Sequence, residues 1–493
     1  MSRRRWLLAL ALLVGLTAIA AARPGGGESY SGGGGHGGGG GGGADGAVIL
    51  ELLYWLLRLC IEVPYVGLPL VGGGILWIAY SAYKQHANKD WDSGPTATLR
   101  STTDLTELRT TLDSTFSQPA FEDFAFRLFS TAQRARGTAD ALATVAPYVA
   151  DTARQQLAQR EPRSTAVEQV AVGAMRVVSL DLPASKTDQA GQPNYVTISV
   201  QFEANVATRS ATYYSVETWQ FVRDAGRRSK PPDATRGFPC PNCGAPWQST
   251  ETGTQRCAHC GEVVDNGRFD WVVRHITVES IDQRPPTLTT EVPERGTNLP
   301  TYRQGNVENR FRQKVETGPD DRRTFEERLA LIYTEVNKAW SAGQLEPIRG
   351  FVSDGLYDYF QYWIDAYTKQ GLRNELVDMR MTKTELAKVV RDNYFVAVTI
   401  RIWATGKDYV VRTSDGHVVR GSKRRERPYS EYWTLIRSVK RTGPAQTENR
   451  CNNCGAPLQI TMAGACSHCG AHVTAGEFDW VLSKVEQDDS YRG

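Results

Sequence analysis

Eight of the nine cysteines stand in pairs with two residues between them. These are Cys240 with Cys243, Cys257 with Cys260, Cys451 with Cys454, and Cys466 with Cys469. Zinc takes four ligands in a tetrahedron, and thiolate is a good soft donor for it. Two intervening residues let one tight turn present both sulfurs. The glycines that follow (Gly244, Gly261, Gly455 and Gly470) let that turn close. Inner spacings of 13 and 11 residues fit two zinc ribbons, at 238–262 and 449–471. Four thiolates leave no open coordination position, so one structural zinc per ribbon is expected and no catalytic metal. Disulfides and redox-active C-x-x-C pairs are the competing readings; a reducing compartment argues against disulfides. His259 and His468 lie beside the fourth cysteine, either replacing a ligand or standing outside the sulfur set. Cys60 sits alone in an apolar stretch and reads as a packing thiol, with acylation the lesser option.

The elements that carry these cysteines occur twice. Phe269-Asp270-Trp271-Val272 recurs as Phe478-Asp479-Trp480-Val481, and Glu217-Thr218-Trp219 with Arg223 as Glu431-Tyr432-Trp433 with Arg437. The segment from Tyr195 to Ala204 aligns with Phe395 to Ala404 without a gap. This is domain duplication; each copy is far longer than a solenoid unit. Each copy opens with helices. Phe121, Phe124, Ala125, Leu128, Phe129 and Ala132 form one stripe; Phe325, Leu329, Ile332, Val336 and Trp340 form another. Thr324 and Glu327 fit a capping box. Leu356, Phe360, Trp363 and Tyr367 form a third stripe. Strands follow: Val196, Ile198, Val200 and Phe202 alternate with polar residues, as do Val396, Val398, Ile400 and Ile402. Tyr213–Arg223, Ser430–Ser438 and the two Phe-Asp-Trp segments read as further strands. Helices before antiparallel strands predict an α+β fold. Each sheet curls around its helices, leaving either a concave apolar pocket or an interior filled by side chains. The first domain is expected over 97–282, a linker over 283–318 and the second domain over 319–487. The ribbons are then elaborated hairpin tips, and Asp270 and Asp479 are structural.

The first ninety residues differ in kind. Arg3, Arg4 and Arg5 precede an apolar run ending at Ala22, the layout of a signal peptide or signal anchor over 1–22. A glycine-rich tether follows over 23–46; the lone His36 reads as solvated. A hydrophobic membrane segment occupies 47–83, either one span over 64–83 after an interfacial helix or a two-helix hairpin. Lys84, His86 and Lys89 follow it, which places the globular part on the cytoplasmic side of the cell membrane. The chain has 57 basic and 54 acidic residues, a net charge of +3, which excludes a strongly basic nucleic-acid protein on bulk charge. A hydrophobic content of 41% excludes wholesale disorder.

Arg223, Arg227, Arg228 and Lys230, and again Lys423, Arg424, Arg425 and Arg427, read as solvated loops beside the ribbons. Acidic lipid head groups are their functional reading and nucleic acid ranks third. Stacking on bases wants aromatics among the basic residues, yet Trp247 is the only aromatic between Cys240 and Cys260.

Together, the hydrophobic signal, the tether beginning Tyr30-Ser31-Gly32-Gly33, the segment Glu62-Val63-Pro64 and the helix-then-sheet domains resemble the Tim44-like family. The resemblance implies a fold like the nuclear-transport-factor-two cone, with a curved sheet around a pocket. It also implies association with membrane lipid and with protein partners. The chain departs from the family's namesake in its duplicated domain, its ribbons and its own span. The function this supports is a membrane-anchored, non-enzymatic binding or scaffold protein, with membrane protein transport as a setting. Its partners would be membrane lipid and an unidentified protein. No acid–base pair recurs where the sequence places the pocket, so no catalytic residue is named, and the ligand-binding residues are unknown. A nucleic-acid-binding ribbon protein and an enzyme using the cone pocket are the alternatives.

Overall fold

The computed structural model describes residues 62, 64, 65, 103–160, 166–232, 238–248, 255–283, 297–316, 321–441, 454, 456, 468, 479–488, 491 and 493. The expected signal and tether, most of the segment over 47–83, and Cys451, Cys466 and Cys469 lie outside the described residues. Among the described residues, no helix is long and apolar enough to cross a membrane.

Two α+β units follow one another. In the first, α1 (Thr106–Thr111), α2 (Gln118–Ala135), α3 (Ala139–Ala143) and α4 (Asp151–Ala158) precede four strands. These are β1 (Val167–Asp181), β2 (Tyr195–Thr208), β3 (Thr212–Asp224) and β4 (Val272–Gln283). They pair antiparallel in the order β1-β2-β3-β4. In the second, α5 (Val307–Lys314), α6 (Asp321–Ala342) and α7 (Asp354–Lys369) come first. Then come β5 (Leu372–Arg391), β6 (Phe395–Arg412), β7 (Val418–Gly421), β8 (Tyr429–Ser438) and β9 (Val481–Gln487). Their order is β5-β6-β8-β9, with β7 paired to β6.

Local chemistry accounts for the elements. Ser117 Oγ accepts a hydrogen bond from the Ala120 amide at 3.3 Å and Pro119 lies in the first turn, so α2 starts there. Its stripe is buried as expected, and Phe129 stacks on Phe202 of β2 with ring centroids 4.3 Å apart. Val196, Ile198, Val200 and Phe202 are at most 1% exposed. Val396, Val398, Ile400 and Ile402 are equally internal in the second unit. Burying each such side chain is worth about 1.5–3 kcal/mol.

The same residue types sit in the same places in both units. Val200 pairs with Trp219, and Ile400 with Trp433. Each tryptophan donates its indole N–H to the glutamate two residues before it, at 2.8 Å to Glu217 and 3.0 Å to Glu431. Arg223 lies over Trp271 at 4.5 Å, and Arg437 over Trp480 at 4.7 Å. Asp270 and Asp479 accept from the next residue's amide at 2.9 and 2.7 Å.

Several expectations change. Between α2 and the first sheet, the void bounded by Phe121, Ala125, Val177 and Val200 measures 10 Å³, room for about one water at most. In the second, the Tyr333 and Tyr429 hydroxyls meet at 2.8 Å, and Trp340 Nε1 donates to Asn374 Oδ1 at 2.7 Å. Strands β4 and β9 start just after the Phe-Asp-Trp segments. Thr324 and Glu327 form no capping box, because α6 already begins at Asp321 and Thr324 Oγ1 donates to the Asp321 carbonyl. Within the stretch read as a linker, α5 packs into the second core, with Phe311 and Phe325 at 5.4 Å. Strands β1 and β5 were not expected. Register shifts interrupt both, which breaks the period-two pattern.

The units touch along a seam. Arg134 pairs with Asp358 at 3.1 Å, and Arg109 donates to the Arg391 carbonyl at 3.0 Å. Lys484 of β9 reaches Glu122 of α2 at 2.5 Å across 362 positions of sequence. A Cβ at Gly355 would stand 3.0 Å from the Phe126 ring, so the start of α7 approaches α2 as closely as backbone allows.

Candidate metal centre

The first cysteine set occupies the connection between β3 and β4. Its four sulfurs lie within 4.8 Å of one another. Cys240 Sγ is 3.9 Å from Cys260 Sγ, and Cys243 Sγ is 3.9 Å from Cys257 Sγ. A tetrahedron with metal–sulfur bonds of about 2.3 Å has sulfurs about 3.8 Å apart, so the cluster already has the size of a zinc site. The cysteines are free thiols rather than disulfides.

Each pair is presented by a tight turn. The Gly244 amide donates to the Cys240 carbonyl at 2.9 Å, and the Gly261 amide to the Cys257 carbonyl at 2.9 Å. Gly244 and Gly261 take φ of +75° and +71°, the left-handed region where a side chain is strained. The chain returns as a short ladder, with Cys240 N to Ala245 O at 2.9 Å and Cys257 N to Glu262 O at 3.0 Å. Donors support the sulfurs, among them the His259 amide to Cys257 Sγ at 3.4 Å and the Asn242 side chain to Cys260 Sγ at 3.5 Å. Donors of this kind are the second layer that orients metal ligands. Sequence reasoning missed both, although the C-x-x-C spacing itself aims amides back at the first sulfur of a pair.

The thiols are unequal without a cation. Burial pushes Cys240 up to about 12. The Asn242 hydrogen bond and the Glu262 backbone bring Cys260 down to about 7. Such a set ionises fully only when a divalent cation compensates the charge. The His259 side chain is exposed and outside the sulfur cluster, and His468 is likewise exposed. Of the second set only Cys454 is described, and it is exposed.

The ribbon is docked on its unit. Trp247 Nε1 donates to the Ala143 carbonyl at 3.0 Å, and Tyr148 donates its hydroxyl proton to the Pro239 carbonyl at 2.8 Å. Cys240, Cys257, Val264 and Phe269 form a small core of their own. The flanking cations divide. Arg223 is 1% exposed and pairs with Asp113 at 2.7 Å, which corrects its reading as a solvated loop residue. Lys230 pairs with Asp270 at 3.5 Å. Arg227 and Arg228 are exposed. The second group lies between β7 and β8, where Arg427 is buried and Lys423, Arg424 and Arg425 are exposed.

Comparison with known families places the Tim44-like domain at residues 321–446, from the start of α6 to just beyond β8. That is about a quarter of the chain. No curated protein matches the sequence.

Proposed function

We propose that this chain is a membrane-tethered, non-enzymatic scaffold whose two units are duplicated Tim44-like domains, each carrying a zinc ribbon. The observation that carries the reading is the Tim44-like match over 321–446, joined to a first unit with the same order of elements and the same Glu–Trp and Arg–Trp contacts. The buried charges of the first unit serve its architecture. Glu217 pairs with Arg160 and accepts from Gln133 at 3.0 Å. A signal or signal anchor over 1–22 and a hydrophobic segment over 47–83 would hold the units at the cytoplasmic face of the cell membrane. There they would engage membrane lipid and a protein partner, with membrane protein transport as the setting. Nucleic acid suits the ribbon less well, because the indole of Trp247 is engaged with Ala143.

The test is fractionation and cross-linking of the full chain in its own cells. The chain should stay with membranes through alkaline extraction and resist protease added outside. Each unit expressed alone should capture the cross-linked partner more weakly than the tandem. Recovery in the soluble fraction, digestion from outside, or equal capture by one unit would overturn the reading.

A further inference from the structure

Strand alternation gives the second sheet two faces. Val389, Val396, Val398, Leu435 and Leu482 enter its core. The intervening residues point the other way, toward the first unit. Pairing aligns four of them in one row: Lys388 with Thr399, Thr399 with Thr434, and Thr434 with Lys484. The two threonine hydroxyls are 2.9 Å apart. Helix α2 and strand β1 of the first unit lie across this row.

The two surfaces enclose a cavity of 390 Å³, within the range of about 300–1,000 Å³ usual for small-molecule sites. Phe126, Leu356, Tyr359, Phe395 and Ile436 give it an apolar wall. A 100 Å³ extension adjoins it; Glu122, Met175, Thr434 and Lys484 line both, and Lys388 and Thr399 line the extension. The space is therefore amphipathic, apolar at one end and charged at the other.

The charged end is incompletely satisfied. Glu122 and Lys484 pair, keep partial exposure and line the cavity. The Lys388 ammonium and the Glu486 carboxyl have no hydrogen-bond partner among the described residues, although both line the space. Burial lowers the Lys388 pKa, opposed by Glu122. Burial raises that of Glu486, toward the form that can donate a proton in a hydrogen bond. An anion entering here would meet an ammonium that has no hydrogen-bond acceptor of its own while Glu122, Asp104 and Glu486 share its charge, a pair of threonine hydroxyls with one proton already shared between them, and a carboxyl biased toward donation. A cation would meet two lysines, and a neutral apolar molecule would leave Lys388 unsatisfied.

We propose that the seam between the units is a binding site for an amphipathic anion, with one carboxylate or phosphate head on the Lys388–Thr399–Thr434 row and an apolar body against Phe126, Leu356 and Phe395. This holds whether or not the chain is tethered to a membrane, so the fractionation above can fail without affecting it.

Calorimetric titration of the full-length chain in maltoside micelles tests it. The probes are dodecanoate, dodecyl phosphate, dodecanol and dodecyltrimethylammonium, and comparison among variants cancels partition into the micelle. The two anions should bind saturably with one site per chain, and the neutral and cationic probes at least tenfold more weakly. Lys388→Met should weaken both anions tenfold or more while melting no lower than the parent, since it removes a desolvated charge. Ala397→Phe should abolish binding by filling the cavity; if it fails to fold, Lys388→Met decides. Preference for dodecanoate would mark a fatty-acid-type ligand, and preference for dodecyl phosphate a phospholipid-derived one. Absence of anion binding, equal binding of dodecanol or the ammonium probe, or unchanged affinity in Lys388→Met would overturn the proposal.

Discussion

The front of the first sheet and the back of the second are both covered by helix α2, with different results. On the front, Phe121 and Phe129 reach into a surface of Val200, Phe202 and Trp219, and the gap bounded by Phe121, Ala125, Val177 and Val200 is 10 Å³. On the back, Glu122 and Phe126 of the same helix line the 390 Å³ cavity with Thr434 and Lys484, and Glu122 also lines its 100 Å³ extension with Lys388 and Thr399. A face covered by its own unit is packed side chain against side chain. A face covered by a neighbouring unit keeps its polar residues and encloses space between them. The ligand-sized space described here thus lies between the units.

The largest effect is expected outside both faces, at the ribbon, whose own core is small and whose four thiols could hold a metal ion. Cys257→Ser should remove one equivalent of zinc from the purified chain and forfeit binding energy that in finger-sized peptides amounts to about 10–16 kcal/mol. Hydrogen exchange should show protection lost over 238–266 and kept in β2. Unchanged metal content would show that these sulfurs hold no zinc.

The two faces themselves should differ by less. Trp219→Ala should lower unfolding stability by about 3–5 kcal/mol, since its neighbours have no space into which to relax. Ala397→Phe should cost under about 1 kcal/mol because the added ring enters existing space. Urea unfolding measures both, and equal costs would erase the contrast.

An effect smaller than that at Trp219 concerns Asp113, the buried partner of Arg223. Burial alone would raise its carboxyl. The Arg223 guanidinium and hydrogen bonds from Thr115 and Ser229 outweigh that and hold it below the usual aspartate value. Its contribution is thus complete above about pH 4 and is lost as pH falls through the depressed folded value. Asp113→Asn should cost about 1.5–3 kcal/mol at neutral pH and flatten the acid-side decline. Urea midpoints between pH 7 and pH 3 decide this; parallel profiles for parent and variant would remove Asp113 from the account.

The parts legible in the sequence were those whose signal is local. Strand β2 alternates over consecutive residues, α2 repeats its aromatics at helical spacing, and Cys240, Cys243, Cys257 and Cys260 lie within one short stretch. Strand β5 escaped notice because Glu375, Met379, Met381, Glu385 and Ala387 are residues that helices favour and its bulges disrupt alternation. The seam was invisible for another reason. Glu122, Lys388, Lys484 and Glu486 carry no local signal in the sequence, and only pairing across β5, β6, β8 and β9 sets three of them opposite the fourth. Arg223 was misread likewise, because its partner Asp113 lies 110 positions away.

The reach of Lys484 to Glu122 also orders events during biosynthesis. A ribosome delivers the chain from its amino terminus, so α2 emerges long before β9. The first unit has its four strands by Gln283, whereas the second sheet still lacks an edge when β8 is complete. One strand of seven residues then supplies that edge together with Lys484 and Glu486. A chain cut short before β9 would expose β8 as an open sheet edge, the surface that invites aggregation and proteolysis. Closure of the seam thus waits until translation has run past Glu486, so that β9 completes the second sheet and the contact with α2 in one step.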